Sequence, residues 1–208
     1  HVNRPARAPE PDMKPHLPES LAECRACPRL AGFLDEVRGS HPEYYGKPVL
    51  PFGDAQPRLL IVGLAPGMHG ANRTGRPFTG DHAGILLYQT LHKFGFATRP
   101  ESVSANDGLE LTGCRITNAV KCLPPANKPE TAEIRQCNSY LKAELAQLKP
   151  GTTILALGSI AHAAVLMALG LKAKSAVFAH AAVHDLPGGL RLYDSYHCSR
   201  YNTQTRRL

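Results

Sequence analysis

Three observations predict an α/β fold built on a parallel sheet wrapped by helices. Short apolar runs of strand length alternate with longer amphipathic segments, the pattern of parallel strands joined by crossover helices. Turn-forming residues mark the breaks, at Gly63 and at Pro150-Gly151. A chain of 208 residues with 43% hydrophobic content is long enough for one proper core and short for two.

The elements follow in chain order. Residues 1–20, rich in Pro and charge and without apolar periodicity, read as a flexible arm outside the core. Leu59-Leu60-Ile61-Val62 reads as a first buried strand that opens at Gly63 into a long loop. Ala83 to Phe94 reads as a helix, with Ile85, Leu86, Leu87, Leu91 and Phe94 available for one face. Arg115 to Val120 is short and β-branched, a second strand. Pro129 at a first-turn position introduces a long amphipathic helix through about Leu148. Thr152 to Leu157 is a third strand, Ser159 caps a helix running to Leu169, and Arg191 to Tyr196 is a later strand ending at His197. In parallel sheets ligands sit beyond the carboxyl ends of strands. The three loops of most unusual composition, after Val62, at Asn118 and at His197, all fall at that edge.

Twenty-four Lys and Arg against 17 Asp and Glu give a formal charge of +7, and the pI is near 9.2. That balance favours polyanionic partners, nucleic acid first among them, although net charge is not itself a site. No apolar run has the length of a membrane span, and no leader pattern opens the chain, so a cytoplasmic protein without a membrane partner is expected.

Six cysteines in such a chain point to metal, cluster or catalytic use rather than disulfides. Cys24-Arg25-Ala26-Cys27 brings two thiols within reach of one centre. Cys122 and Cys137 can supply two more if the loop after the second strand folds back on the helix bearing Cys137. Four thiolates suit iron–sulfur or zinc equally at this point. Cys114, at the start of an apolar strand, reads as a small buried hydrophobe.

The loop Gly63-Leu64-Ala65-Pro66-Gly67-Met68-His69-Gly70-Ala71-Asn72-Arg73-Thr74-Gly75-Arg76-Pro77-Phe78-Thr79-Gly80-Asp81 lets backbone approach a ligand closely and present peptide N–H groups to it. Its spacing fits neither a P-loop nor a dinucleotide fingerprint, which disfavours a nucleotide triphosphatase. This stretch, together with Thr117-Asn118-Ala119-Val120-Lys121-Cys122 and Ser195-Tyr196-His197-Cys198-Ser199-Arg200, resembles the family 5 uracil-DNA glycosylases from about Cys24 to Leu208. The resemblance implies a three-layer α/β/α domain over residues 21–208 around a central four-stranded parallel sheet. It also implies a [4Fe–4S] cluster on Cys24, Cys27, Cys122 and Cys137, apart from the active site. His197 is followed by Cys198, where members typically carry Pro.

The implied activity is flipping uracil, and other deaminated bases such as hypoxanthine, out of DNA and hydrolysing the N-glycosidic bond. Gly63, Ala65, Gly67 and His69 would line the base site, with Phe78 stacked on the ring. Asn118 has the donor and acceptor to match one carbonyl and one ring N–H of a pyrimidine. Cleavage leaves a cationic sugar and an anionic base. Asp81 would steady the sugar or orient water, though an Asp after Gly also suits a helix cap. His197 would donate a hydrogen bond to the base oxygen. Arg73, Arg76, Ser199, Arg200, Asn202 and Thr203 would hold phosphates around the extruded nucleotide. A monomer is expected. Two alternatives are a non-enzymatic iron–sulfur DNA-binding redox sensor and the neighbouring family 4, restricted more tightly to uracil.

Overall fold

The computed structural model describes residues 21–208, and of Arg200 the backbone alone. The expected arm, residues 1–20, lies outside the described residues. The elements are α1 (Pro28–Ser40), β1 (Phe52–Gly53), β2 (Leu59–Gly63), α2 (Ala71–Thr74), α3 (Ala83–Lys93), β3 (Cys114–Asn118), α4 (Thr131–Ala146), β4 (Thr153–Leu157), α5 (Ser159–Ala168), β5 (Val183–Leu186), β6 (Leu190–Ser195) and α6 (Arg200–Gln204). Among the described residues no helix is long and apolar enough to cross a membrane.

The four expected strands, β2, β3, β4 and β6, are all present and mutually parallel, in the order β3-β2-β4-β6. Two short strands that the sequence did not announce flank them antiparallel, β1 beside β3 and β5 beside β6, giving six strands. Their weak signal has a physical cause. β1 is two residues long, and β5 is an edge strand whose Val183 and Asp185 are exposed, so neither carries a buried apolar run.

Alternation along the central strands creates two cores and hence three layers. Leu60 and Val62 face one side with Ile154, Ala156 and Leu192, under Leu141 and Leu145 of α4 and Ala161, Ala164 and Val165 of α5. Ile61 and Ile116 face the other, under Leu87, Tyr88 and Leu91 of α3. Cys114 is fully buried in that second core, as a small hydrophobe should be.

The helix expectations needed three corrections. On α3 the inward stripe is Gly84, Leu87, Tyr88 and Leu91, at helical spacing, whereas Ile85, Leu86 and Phe94 are exposed on the opposite side. Helix α4 begins at Thr131 rather than Pro129, because Glu130 and Glu133 form a reciprocal capping box there. Ser159 is the first residue of α5 and not its cap. The cap position is Gly158, whose φ of 95° suits glycine.

Candidate active site

The parallel register brings the ends of the strands together. Gly63 of β2 pairs with Asn118 of β3, and Leu157 of β4 pairs with Ser195 of β6. Beyond this edge lies a cavity of about 490 Å³, lined by Ala65, Gly67, His69, Phe78, Asp81, Asn118, His197 and Ser199 among others. Residues from three separate loops therefore meet at the edge where parallel sheets bind ligands.

Gly63 is a spacer. A Cβ there would lie 2.4 Å from Asn118 Oδ1 and 2.5 Å from Phe78 Cζ. Phe78 itself has φ of 53°, a costly conformation for a non-glycine residue. It is held there from several sides. Its carbonyl packs so closely on Gly84 that a Cβ would meet it at 1.7 Å, and the Tyr88 hydroxyl donates to the Pro77 carbonyl at 2.7 Å. The ring presents itself to the cavity with the His197 ring 5.8 Å away, centroid to centroid.

Asn118 Oδ1 is buried and accepts no hydrogen bond among the described residues. An acceptor left bare in a cavity is costly unless a ligand supplies the donor. Its backbone is fixed from behind by Lys121, a residue the sequence reading passed over although it lies within the second motif. The fully buried Lys121 ammonium donates to the Asn118 carbonyl at 2.7 Å and the Thr117 hydroxyl at 2.6 Å, and pairs with Glu144 at 3.0 Å. A buried ammonium with three such partners is satisfied.

Asp81 is the one carboxylate lining the cavity among the described residues. It is not a helix cap: the cap position of α3 is His82, and no side chain closes that end. The carboxylate instead lies over the backbone of Gly67 and Gly70, where Cβ atoms would stand 2.6 and 2.1 Å from Oδ2. Its Oδ1 is buried and has no hydrogen-bond partner among the described residues. Burial lowers the pKa of His197 below the ordinary 6.5 and outweighs the opposing pull of Asp81, so the imidazole is neutral at pH 7. Unfolded, it protonates first. The contribution of His197 to stability is therefore constant above pH 6.5 and falls as pH drops through that value toward the lower folded one. Thermal melts of wild type and His197→Asn should run parallel above this pH, and the wild type should lose more below it.

His69 lines the cavity mouth, its Nδ1 2.8 Å from the hydroxyl of Tyr44, another residue the sequence reading missed for want of any local motif.

Of the expected phosphate contacts, Arg76 is corrected outright. It is 5% exposed, paired with Asp107 at 2.8 Å and stacked on Phe52, so it braces the loop from inside. Arg73 directs Nε to the His69 carbonyl at 2.6 Å and Nη2 to the Gly80 carbonyl at 2.7 Å, again within the loop. Asn202 donates to the His197 carbonyl at 2.7 Å, and Ser199 caps α6 by accepting from the Asn202 N–H. These two shape the His197 loop. Thr203 approaches His82 at 2.9 Å and ties α6 to the start of α3. The side chain of Arg200 lies outside the described set. Cys198 is buried, and its thiol is pushed up to about 12 by burial, which leaves it protonated and unreactive.

The remaining four cysteines do converge. Cys24, Cys27, Cys122 and Cys137 line a second cavity of about 120 Å³, which shares no lining residue with the first. Burial raises the Cys122 thiol to about 12 and the Cys137 thiol to about 11, with neighbouring thiols adding to the rise at Cys122. Among the described residues no three of these sulfurs lie within 4.8 Å of one another. Ligands of a single zinc ion would stand about 3.8 Å apart, so the frame is wider than one ion requires. The Lys121 N–H donates to Cys137 Sγ at 3.3 Å, and the Tyr140 hydroxyl is buried beside this cavity with no partner of good geometry among the described residues.

The family model of the uracil DNA glycosylase superfamily matches residues 50–208, and the chain belongs to that superfamily. Within it, a type-5 uracil-DNA glycosylase of Thermus thermophilus is 47% identical over 195 residues, 91% of this chain and 89% of the relative. Another type-5 enzyme, of Mycobacterium leprae, is 44% identical over 93% of this chain and 88% of its own length. A type-4 enzyme of Pyrobaculum aerophilum is 37% identical over 76% of this chain and 67% of its own.

Proposed function

We propose that this chain is a uracil-DNA glycosylase of the type-5 kind, a hydrolase of N-glycosyl bonds that begins base excision repair. The observation that carries this reading is the cavity itself. It holds a bare Asn118 Oδ1, a bare Asp81 oxygen and a neutral His197 around the Phe78 ring.

A base inside a duplex hides its glycosidic carbon, so the nucleotide rotates out first. The flipped uracil stacks on Phe78. Its ring N–H donates to Asn118 Oδ1 and its carbonyl O4 accepts from the Asn118 amide. As the C1′–N1 bond breaks, its electron pair leaves with the base. His197 donates a hydrogen bond to O2, where that charge gathers, and the Asp81 carboxylate faces the cationic sugar. Water then adds to C1′ and loses its proton to Asp81 or to solvent. The Ala65 methyl offers no group to activate water, which leaves Asp81 as the carboxylate for that task. Other deaminated bases such as hypoxanthine share the ring N–H beside a carbonyl and fit the same recognition. Gly63 and Gly67 provide the room in which the base and Asp81 lie.

The second cavity suits a [4Fe–4S] cluster on Cys24, Cys27, Cys122 and Cys137. The donor set is four thiols, their spacing exceeds that of one ion, and the Lys121 N–H and Tyr140 O–H lie beside the sulfurs as donors to thiolates. Such a cluster would tie the segment before α1, the loop after β3 and helix α4 together. DNA carrying deaminated bases is the partner, bound by a monomer in the cytoplasm.

The test is cleavage of duplex DNA bearing one uracil opposite guanine, at fixed moderate salt. Alkali-labile breaks with the wild type, much reduced with Asp81→Ala and His197→Ala, are expected. Tight DNA binding by a brown, cluster-loaded protein without any breaks would instead favour a non-enzymatic iron–sulfur DNA-binding protein.

A further inference from the structure

Away from both cavities, three ligating side chains meet where α5 packs on the end of the sheet. His162 of α5 and Asp194 of β6 are each 3% exposed, and His184 of the edge strand β5 is half-buried. The side-chain atoms His162 Nδ1, His184 Nε2 and an Asp194 carboxylate oxygen all lie within 4.8 Å of one another. Asp194 Oδ1 is 2.6 Å from His162 Nδ1, and Oδ2 is 2.8 Å from His184 Nε2. No sequence motif announced this group, because its members are far apart in the chain.

The hydrogen bonds dictate what lies between them. His162 Nε2 is 2.8 Å from the Ala176 carbonyl, which can only accept, so Nε2 carries a proton. A neutral ring then turns the Nδ1 lone pair toward a carboxylate oxygen. That contact is repulsive unless a proton or a metal ion lies between them. A histidine whose far nitrogen donates to a backbone carbonyl is also the usual arrangement of a metal ligand, since that bond fixes the tautomer and aims the lone pair.

We propose that His162 Nδ1, His184 Nε2 and the Asp194 carboxylate form a binding site for one divalent transition-metal ion of the zinc class, distinct from the cysteine cavity. Two imidazoles and one carboxylate suit zinc, and a water reaching the half-buried His184 side completes four-coordination. On binding, the proton between His162 and Asp194 passes to solvent, and His184 moves its proton from Nε2 to Nδ1. Zinc ligand atoms stand about 3.3 Å apart, so the group opens by roughly half an ångström. His184, on an edge strand, supplies that movement on its side, and rotation of the Asp194 carboxylate opens the 2.6 Å contact with His162. Asp194 is three residues before His197, and the Ser195 carbonyl accepts from the Gly158 N–H at 2.8 Å. An ion here would therefore fasten the strand end that leads into the His197 loop.

The test uses cluster-loaded protein equilibrated with zinc chloride, freed of excess metal and analysed for zinc and iron together, with thermal melting in parallel. One zinc per chain at unchanged iron, with a raised melting temperature, is expected for the wild type. In His184→Ala and Asp194→Asn retention should fall, with affinity down by about 100-fold or more. His184→Ala, on the edge strand and 17% exposed at its side chain, decides the matter if Asp194→Asn does not fold. Absence of bound zinc in the wild type would overturn the proposal. Zinc that His184→Ala retains, or zinc that rises only as iron falls, would overturn it as well.

Discussion

Replacing Gly63 with alanine is expected to lower the single-turnover rate of uracil excision by on the order of 10²- to 10³-fold. The backbone at Gly63 is extended and open to alanine, so the effect is one of space. The added methyl would stand 2.4 Å from Asn118 Oδ1 and 2.5 Å from Phe78 Cζ, inside the contact distance of both. Phe78 has little freedom to retreat, because its carbonyl presses on Gly84 and the preceding residue is pinned by Tyr88. Either the ring leaves the cavity or the Asn118 amide turns away. Both outcomes displace groups that hold the base, and a misplacement of about 1 Å can cost 10²-fold. Rapid-quench cleavage under enzyme excess measures this, with circular dichroism showing that the fold persists. A folded Gly63→Ala variant that cleaves at the wild-type rate would remove Phe78 and Asn118 from the proposed site.

The second large effect is on stability. Cys137→Ala should abolish the brown colour and lower the melting temperature by roughly 8–16 °C. This follows from a ligand held at about a thousand times its dissociation constant, worth about 4 kcal/mol, at about 2–4 °C per kcal/mol for a chain of this size. Cys137 is buried on α4, and its partners come from the segment before α1 and the loop after β3. On the proposed ligand set, losing one thiol removes one tie among three parts of the chain, which the Arg29–Glu133 ion pair at 2.6 Å and the packing of Leu34 and Val37 on Leu123 still join in part. Because the two cavities share no lining residue, the folded fraction at low temperature should still release uracil. Iron analysis, melting and cleavage on one preparation give all three readouts. An unchanged melting temperature on loss of iron would show the cysteines to be structurally idle.

Much of this was legible in the residues. The runs expected from Leu59, Arg115, Thr152 and Arg191 mark four parallel strands: β2 is a continuous apolar run buried on both faces, whereas β6 alternates buried and exposed residues. The three loops at the carboxyl edge were legible for a related reason: glycines and unpaired polar residues clustered where regular structure had no use for them. The edge strands β1 and β5 escaped notice, since pairing on one side asks little of composition.

By itself, the sequence determined the order of the four parallel strands and the helices α3, α4 and α5 among them, the edge at which the cavity lies, and the identity of Asp81, Asn118, Phe78 and His197 as cavity residues. The elements follow from local periodicity, and the four residues from the resemblance of contiguous motifs to a known family. Only the tertiary structure decided which arginines face inward, since Arg76 meets Asp107 across 31 residues and no local pattern announces that pairing. The buried Lys121 behind Asn118, the hold of Asn202 on the His197 loop, and the meeting of His162, His184 and Asp194 likewise depend on packing between elements. Their chemistry arises from partners distant in sequence, and distance in sequence carries no periodic signal.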